Sequence, residues 1–186
     1  SLDRVLRERL LHDLQLILKQ IRITSIFVTH DHNEAFSVAD KIAVVNNGRI
    51  EQIDPPETLY RHPANRFVAS FLGFQNLVHG KTLTGGTVDT PLGIISFPDS
   101  AILPDTKVTI LIRPEAARLI GPDEPVVDGE FGVTGEVRDV RFQGTMYQLT
   151  FEAKGGELLV INLPNDVDIP PFGEPIRLGL RISAMS

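Results

Sequence analysis

The 186-residue chain contains no cysteine. That excludes a disulfide framework, a thiolate zinc site and a cysteine nucleophile, and is compatible with a reducing compartment. No apolar run approaches the ~18 residues needed to read as a membrane span. The opening Ser1-Leu2-Asp3-Arg4 lacks the charged-then-apolar pattern of a signal peptide. Cations are not in excess either: 18 Lys and Arg stand against 24 Asp and Glu, a net charge of −6. Nucleic-acid recognition needs clustered positive charge, so no nucleic-acid partner is expected. The composition that remains, 42% hydrophobic and 23% charged, is enough to fill one large domain or two small ones.

The composition changes near Gly73. Residues 1–73 hold 9 basic and 9 acidic side chains, whereas residues 74–186 hold 9 basic and 15 acidic ones. Of the 28 glycines and prolines, 23 lie after residue 73. A domain boundary is therefore expected there, giving domains of residues 1–73 and 74–186.

The first part alternates helix and strand. Val5, Leu6, Leu10, Leu14, Ile17, Leu18 and Ile21 recur at helical spacing, with Asp3 as a competent N-cap. Ile26-Phe27-Val28 reads as the centre of a strand over 24–29, buried on both faces in a parallel sheet. A short helix capped by Asp31 follows. Asn47-Gly48 then marks a two-residue hairpin, because both turn positions must accept positive φ. Two small helices bounded by Pro55-Pro56, Pro63 and Gly73 close the segment. These elements are too few to cover both faces of an open sheet. The fold class expected is thus the remnant of an α/β domain, with its earlier strands upstream of residue 1.

Beyond Gly73 the helical period disappears. Strands are expected over 77–83, 87–90, 93–97, 107–112, 133–142, 147–152, 157–162 and 175–180, separated by turns such as Gly85-Gly86 and Gly155-Gly156. Short strands at this spacing predict an all-β barrel of the oligonucleotide/oligosaccharide-binding (OB) type.

His30 stands out among the side chains. Placed directly after a buried strand, it would sit where open parallel sheets bind ligands. An imidazole there can donate to a phosphate oxygen. A lone loop histidine is commonly tied to a neighbouring carbonyl, but Val28-Thr29-His30-Asp31 followed by Glu34-Ala35 favours the ligand role.

With those residues in view, the first part resembles the C-terminal end of the ATP-binding subunit of ABC transporters. Ser1-Leu2-Asp3 resembles the end of the D-loop, and Thr29-His30-Asp31 the H-loop with its switch histidine. Ala39-Asp40-Lys41-Ile42 and Asn47-Gly48-Arg49-Ile50 resemble the strand pair that follows. Pro55-Pro56-Glu57-Thr58-Leu59-Tyr60 and Pro63-Ala64-Asn65-Arg66-Phe67-Val68-Ala69 resemble the closing helices of the importer branch. Residues 74–186 resemble the transport-associated OB (TOBE) accessory domain of iron, polyamine, sulfate and sugar importers. Leu111-Ile112-Arg113-Pro114-Glu115 carries most of that likeness, with Gly135-Glu136-Val137 and Gly144 in later strands.

The resemblance implies a full-length ATPase using ATP and Mg2+, cytoplasmic and peripheral on the inner face of the plasma membrane. Its partners would be a second ATPase subunit, membrane permease subunits and, indirectly, an extracytoplasmic solute-binding protein. His30 would contact the γ-phosphate and Asp3 would reach across the dimer; both are the catalytic-site residues implied. The phosphate loop, the magnesium-binding Asp, the water-polarising Glu and the signature motif precede the D-loop in that family. This segment is therefore expected to be inactive alone, with no cofactor or metal of its own. Two alternatives concern the β-domain: a module that binds a regulatory oxyanion, or a dimerisation element.

Other features have plainer explanations. Gly80-Lys81-Thr82 looks like the end of a phosphate loop, but Gln75 occupies the position of the first glycine. His32 is expected on a helix surface, and Asp31 and Glu34 as first-turn acids that favour the helix N-terminus. Arg113-Pro114-Glu115 reads as a structural ion pair at a strand end. The apolar stripe of residues 5–21 is expected to be partly exposed, which invites self-association.

Overall fold

Apolar residues at three- and four-residue intervals give the first helix, α1 (Arg4–Ile21). In this computed structural model, which describes residues 4–97, 102–121 and 123–186 apart from the side chains of residues 4, 5, 7 and 8, the chain divides into two units, Ser1–Gly73 and Phe74–Ser186. Asp3, expected as a helix cap and D-loop residue, lies outside the described residues.

In the first unit α1 packs against α2 (His32–Val38). Leu6, Leu10, Ile17 and Ile21 remain about half exposed along the stripe. The hairpin β1 (Ile42–Asn46) and β2 (Arg49–Asp54) turns through Asn47 at φ 47° and Gly48 at φ 78°, the left-handed pair its sequence demands. Helices α3 (Pro56–Arg61) and α4 (Arg66–Phe71) follow, the second capped by Asn65 accepting from the Val68 N–H. Gln52 ties β2 to the loop between them, donating to His62 O at 2.9 Å and accepting from the Ala64 N–H at 2.7 Å.

One expected element is absent as such. Residues 23–29 form no strand: Ile26 is 92% exposed and Val28 88%. A strand exists only when a neighbour takes its backbone groups. Among the described residues of this unit, the remaining strands, β1 and β2, pair with each other. The apolar run is real; its sheet is not here.

The second unit is all-antiparallel. Strands β3 (Leu77–Thr82), β4 (Thr87–Thr90), β5 (Gly93–Ser96) and β6 (Lys107–Leu111) form a sheet of order β5-β4-β3-β6. Strands β7 (Ala117–Ile120), β8 (Glu130–Phe142), β9 (Met146–Ala153), β10 (Leu158–Pro164) and β11 (Pro175–Arg181) form a second sheet of order β10-β9-β8-β11-β7. Its two edge strands, β10 and β7, come into contact without a ladder between them, so the sheet curls into a half-barrel. The expected strands appear in the expected order; β7 was not foreseen, because Ala-Arg-Leu-Ile offers no clear alternation. Gly135 permits the tight pairing of β8 with β9: a Cβ there would lie 2.0 Å from Glu152 O.

One core fills this unit. Phe151, Leu149, Leu159, Ile161, Leu178 and Leu180 from the five-stranded sheet join Val78, Ile95 and Ile110 from the other, with Ile112 just beyond β6. Asn76 clasps the two sheets. Its side-chain amide donates to Ile112 O at 3.0 Å and Val160 O at 2.8 Å, and accepts from the Val160 N–H at 2.7 Å. Its own carbonyl accepts from the Ile112 N–H at 2.9 Å. The side chain thus stands in for a neighbouring strand along the free edge of β10. Asn76→Ala would leave buried backbone groups without partners and is expected to destabilise the unit by about 2–4 kcal/mol. The urea midpoint measures this, and Asn76→Asp, which loses the donors, should fall on the same side.

Candidate functional site

The loop from Thr29 to Asn33 is built around hydrogen bonds from short polar side chains. Thr29 Oγ1 accepts from the Asp31 N–H at 3.0 Å and donates to Glu34 Oε2 at 2.5 Å. Asp31 caps α2, its Oδ1 accepting from the Asn33 N–H at 2.9 Å while its carbonyl accepts from the Ala35 N–H at 3.2 Å. Both are local side-chain-to-backbone patterns natural to Thr and Asp. His30 lies between them, exposed. Its ring can donate or accept toward a ligand arriving from solvent.

Glu34 lies in the first turn of α2 as expected; it is also buried, 9% exposed, and bonded to Thr29. The spacing of five residues gave no sign of this, because Thr29 reaches Glu34 only after the chain turns at His30. His32 is half-buried rather than on the helix surface, edge-on to Phe36 with ring centroids 6.1 Å apart. Among the described residues no group of three His, Cys, Asp or Glu side chains could hold a metal ion.

The β-unit carries a second candidate. An open depression of about 620 Å³ lies against His79 and Lys81 of β3, Asp89 and Thr90 of β4, and Lys107 and Thr109 of β6. Register brings these side chains together: Lys81 faces Lys107 on one side and Asp89 on the other, and His79 faces Thr109. His79 Nδ1 lies 3.1 Å from Thr109 Oγ1, and Lys81 pairs with Asp105. Two lysines directly opposite each other repel, a cost of about 0.2–1 kcal/mol. Nothing in the sequence foretold this pair, since 26 positions separate its members. Gly80-Lys81-Thr82 itself lies within β3, not in a strand-to-helix turn.

Elsewhere the charges hold loops. Arg113, buried, donates to Ala184 O at 2.7 Å and to Ser186 Oγ at 3.3 Å, tying the end of β6 to the last residues. Arg118 grips Glu130 at 2.9 and 3.1 Å and Glu124 at 2.5 Å. The Glu124 carboxyl is held below the usual carboxylate range, first by the Gly121 N–H and then by Arg118, which is itself raised. These groups saturate one another and offer a ligand little.

Residues 110–186 match the TOBE domain family. Spermidine/putrescine import ATP-binding protein PotA of Acetivibrio thermocellus is 33% identical over 179 residues, covering 92% of this chain and 49% of that protein. An ABC transporter ATP-binding protein of Escherichia coli, YdcT, uncharacterised, is 35% identical over 168 residues, 89% of this chain and 42% of that protein. The chain is homologous over most of its length to ABC importer ATP-binding proteins. Fe(3+) ions import ATP-binding protein FbpC of Streptomyces avermitilis adds 43% identity over 124 residues, 67% of this chain and 35% of that protein. The chain spans about half, or less, of the length of these relatives. A solved structure of the cytoplasmic molybdate-binding protein ModG shares its fold with a TM-score of 0.50 at 12% identity, over 60% of this chain and 94% of that one. No helix among the described residues is long and apolar enough to cross a membrane.

Proposed function

We propose that the chain is the C-terminal portion of an ABC import ATPase, with His30 as the group that meets the terminal phosphate of ATP. The observation that carries this is the exposed His30 on a hydrogen-bonded loop, at the end of an apolar segment with no strand beside it. Homology with import ATP-binding proteins supports the same assignment. Residues 23–29 would complete a parallel sheet supplied by the remainder of the nucleotide-binding domain, and burial of Ile26 and Val28 there would stabilise the pairing. His30 would then stand at the carboxyl end of a paired strand, where ligands bind such sheets.

In that setting the imidazole donates to a γ-phosphate oxygen, aligning it for in-line attack by water and stabilising the charge that moves with it. The phosphate loop, the magnesium ligand and the water-orienting carboxylate come from the rest of the protein. Asp3 acts across a dimer of ATPase subunits. That dimer works beneath membrane permease subunits on the cytoplasmic face, fed by an extracytoplasmic solute-binding protein. In the full-length protein, His30→Ala is expected to lower ATP turnover by about 10²–10³-fold while sparing nucleotide affinity. Turnover near wild type would remove His30 from the mechanism. The 186-residue chain alone should show no saturable ATP binding by calorimetry.

A second reading concerns the β-unit as a small-oxyanion sensor. It draws on the facing Lys81 and Lys107, with His79 and Thr109 beside them. Asp89 and Asp105 oppose it by neutralising part of that charge. Titration with molybdate, sulfate and phosphate decides: micromolar binding that Lys107→Ala weakens at least tenfold supports a sensor, and no binding at millimolar concentration dismisses it.

A further inference from the structure

The order around His30 is invested in its backbone, not in its ring. On one side the Thr29 hydroxyl takes the Asp31 N–H at 3.0 Å; on the other the Asp31 carboxylate takes the Asn33 N–H at 2.9 Å. The first bond closes a side-chain-capped turn around His30, and the second opens the next turn at the residue after it. The Thr29 hydroxyl is oriented in turn, since its single proton goes to Glu34 Oε2 at 2.5 Å. Glu34 is buried in α2, whose Val38 is buried on the same helix. Residues 23–28, immediately before, are exposed, whereas Thr29 is half-buried. The first anchored position of this stretch is thus the one next to His30.

We propose that Thr29 and Glu34 are positioning residues for His30, a relay that runs from the body of α2 through Glu34 and the Thr29 hydroxyl to the Asp31 amide. A hydroxyl is required at position 29 because one atom must donate and accept at once. Toward the Thr29 proton either a carboxylate or a carboxamide can serve at 34, since that bond needs an acceptor. The relay fixes where the histidine backbone lies and leaves the imidazole open to solvent for a ligand. The inference rests on His30 being the phosphate-contacting group, and it adds the residues that hold it ready.

Thr29→Val keeps the shape and removes both bonds, Thr29→Ser keeps the hydroxyl, and Glu34→Gln keeps the acceptor. In the 186-residue chain, amide exchange followed by NMR should show the Asp31 N–H exchanging about tenfold faster in Thr29→Val, the loss expected of one such bond. It should be near wild type in Thr29→Ser and Glu34→Gln, with the Val44 amide of β1 unchanged in all three as the report of an intact fold. In the full-length ATPase, Thr29→Val should lower kcat without raising KM for ATP, and Thr29→Ser should restore it. Wild-type Asp31 exchange in Thr29→Val, or equal loss in the serine variant, overturns the relay. The exchange measurement uses no nucleotide, so it stands apart from His30→Ala, whose normal turnover would instead sink the phosphate role.

Discussion

A backbone amide or carbonyl taken out of water must find a partner, and the two units of this chain differ in where that demand arises. In the β-unit the demand is met at its hardest point by Asn76. Strand β10 is an edge of its sheet, and Ile112 lies just beyond β6, bridged to Met185. Asn76 is 2% exposed and serves both, spending its two amide protons and its carbonyl oxygen on backbone groups. Its position fixes how the sheets approach, and the core of Phe151, Leu149 and Ile112 closes around that approach. A leucine in its place would fill the volume and leave the edge bare.

In the first unit the demand does not arise along residues 23–28, which lie exposed. Residues 23–29 combine exposed apolar side chains with a backbone outside any sheet, and the stripe of α1 is only half covered. The loop from Thr29 to Asn33 needs no partner strand, because its bonds are local. That is why the neighbourhood of His30 is built even where the strand leading to it is not.

The first unit therefore sets a locally bonded loop, Thr29–Asn33, directly after an exposed apolar segment that belongs to no sheet. The β-unit contributes a self-sufficient body whose charges are largely engaged with each other, as Arg118, Glu124 and Glu130 are.

Local chemistry decided whatever depends on neighbours in the chain, and this was legible in the residues. The Asn47-Gly48 turn, the Asp31 cap and the succession of β-strands along the chain all follow from backbone preference and apolar period, which act over a few positions. His30 was singled out on the same footing, by the residues on either side of it. Tertiary structure alone decided what depends on register and partners: the Lys81–Lys107 apposition, the contact between β10 and β7, the Asn76 clasp and the burial of Glu34 under Thr29. It also decided that Ile26-Phe27-Val28 is no strand in this chain, because a strand is a relation between two segments, and a sequence pattern supplies only one of them.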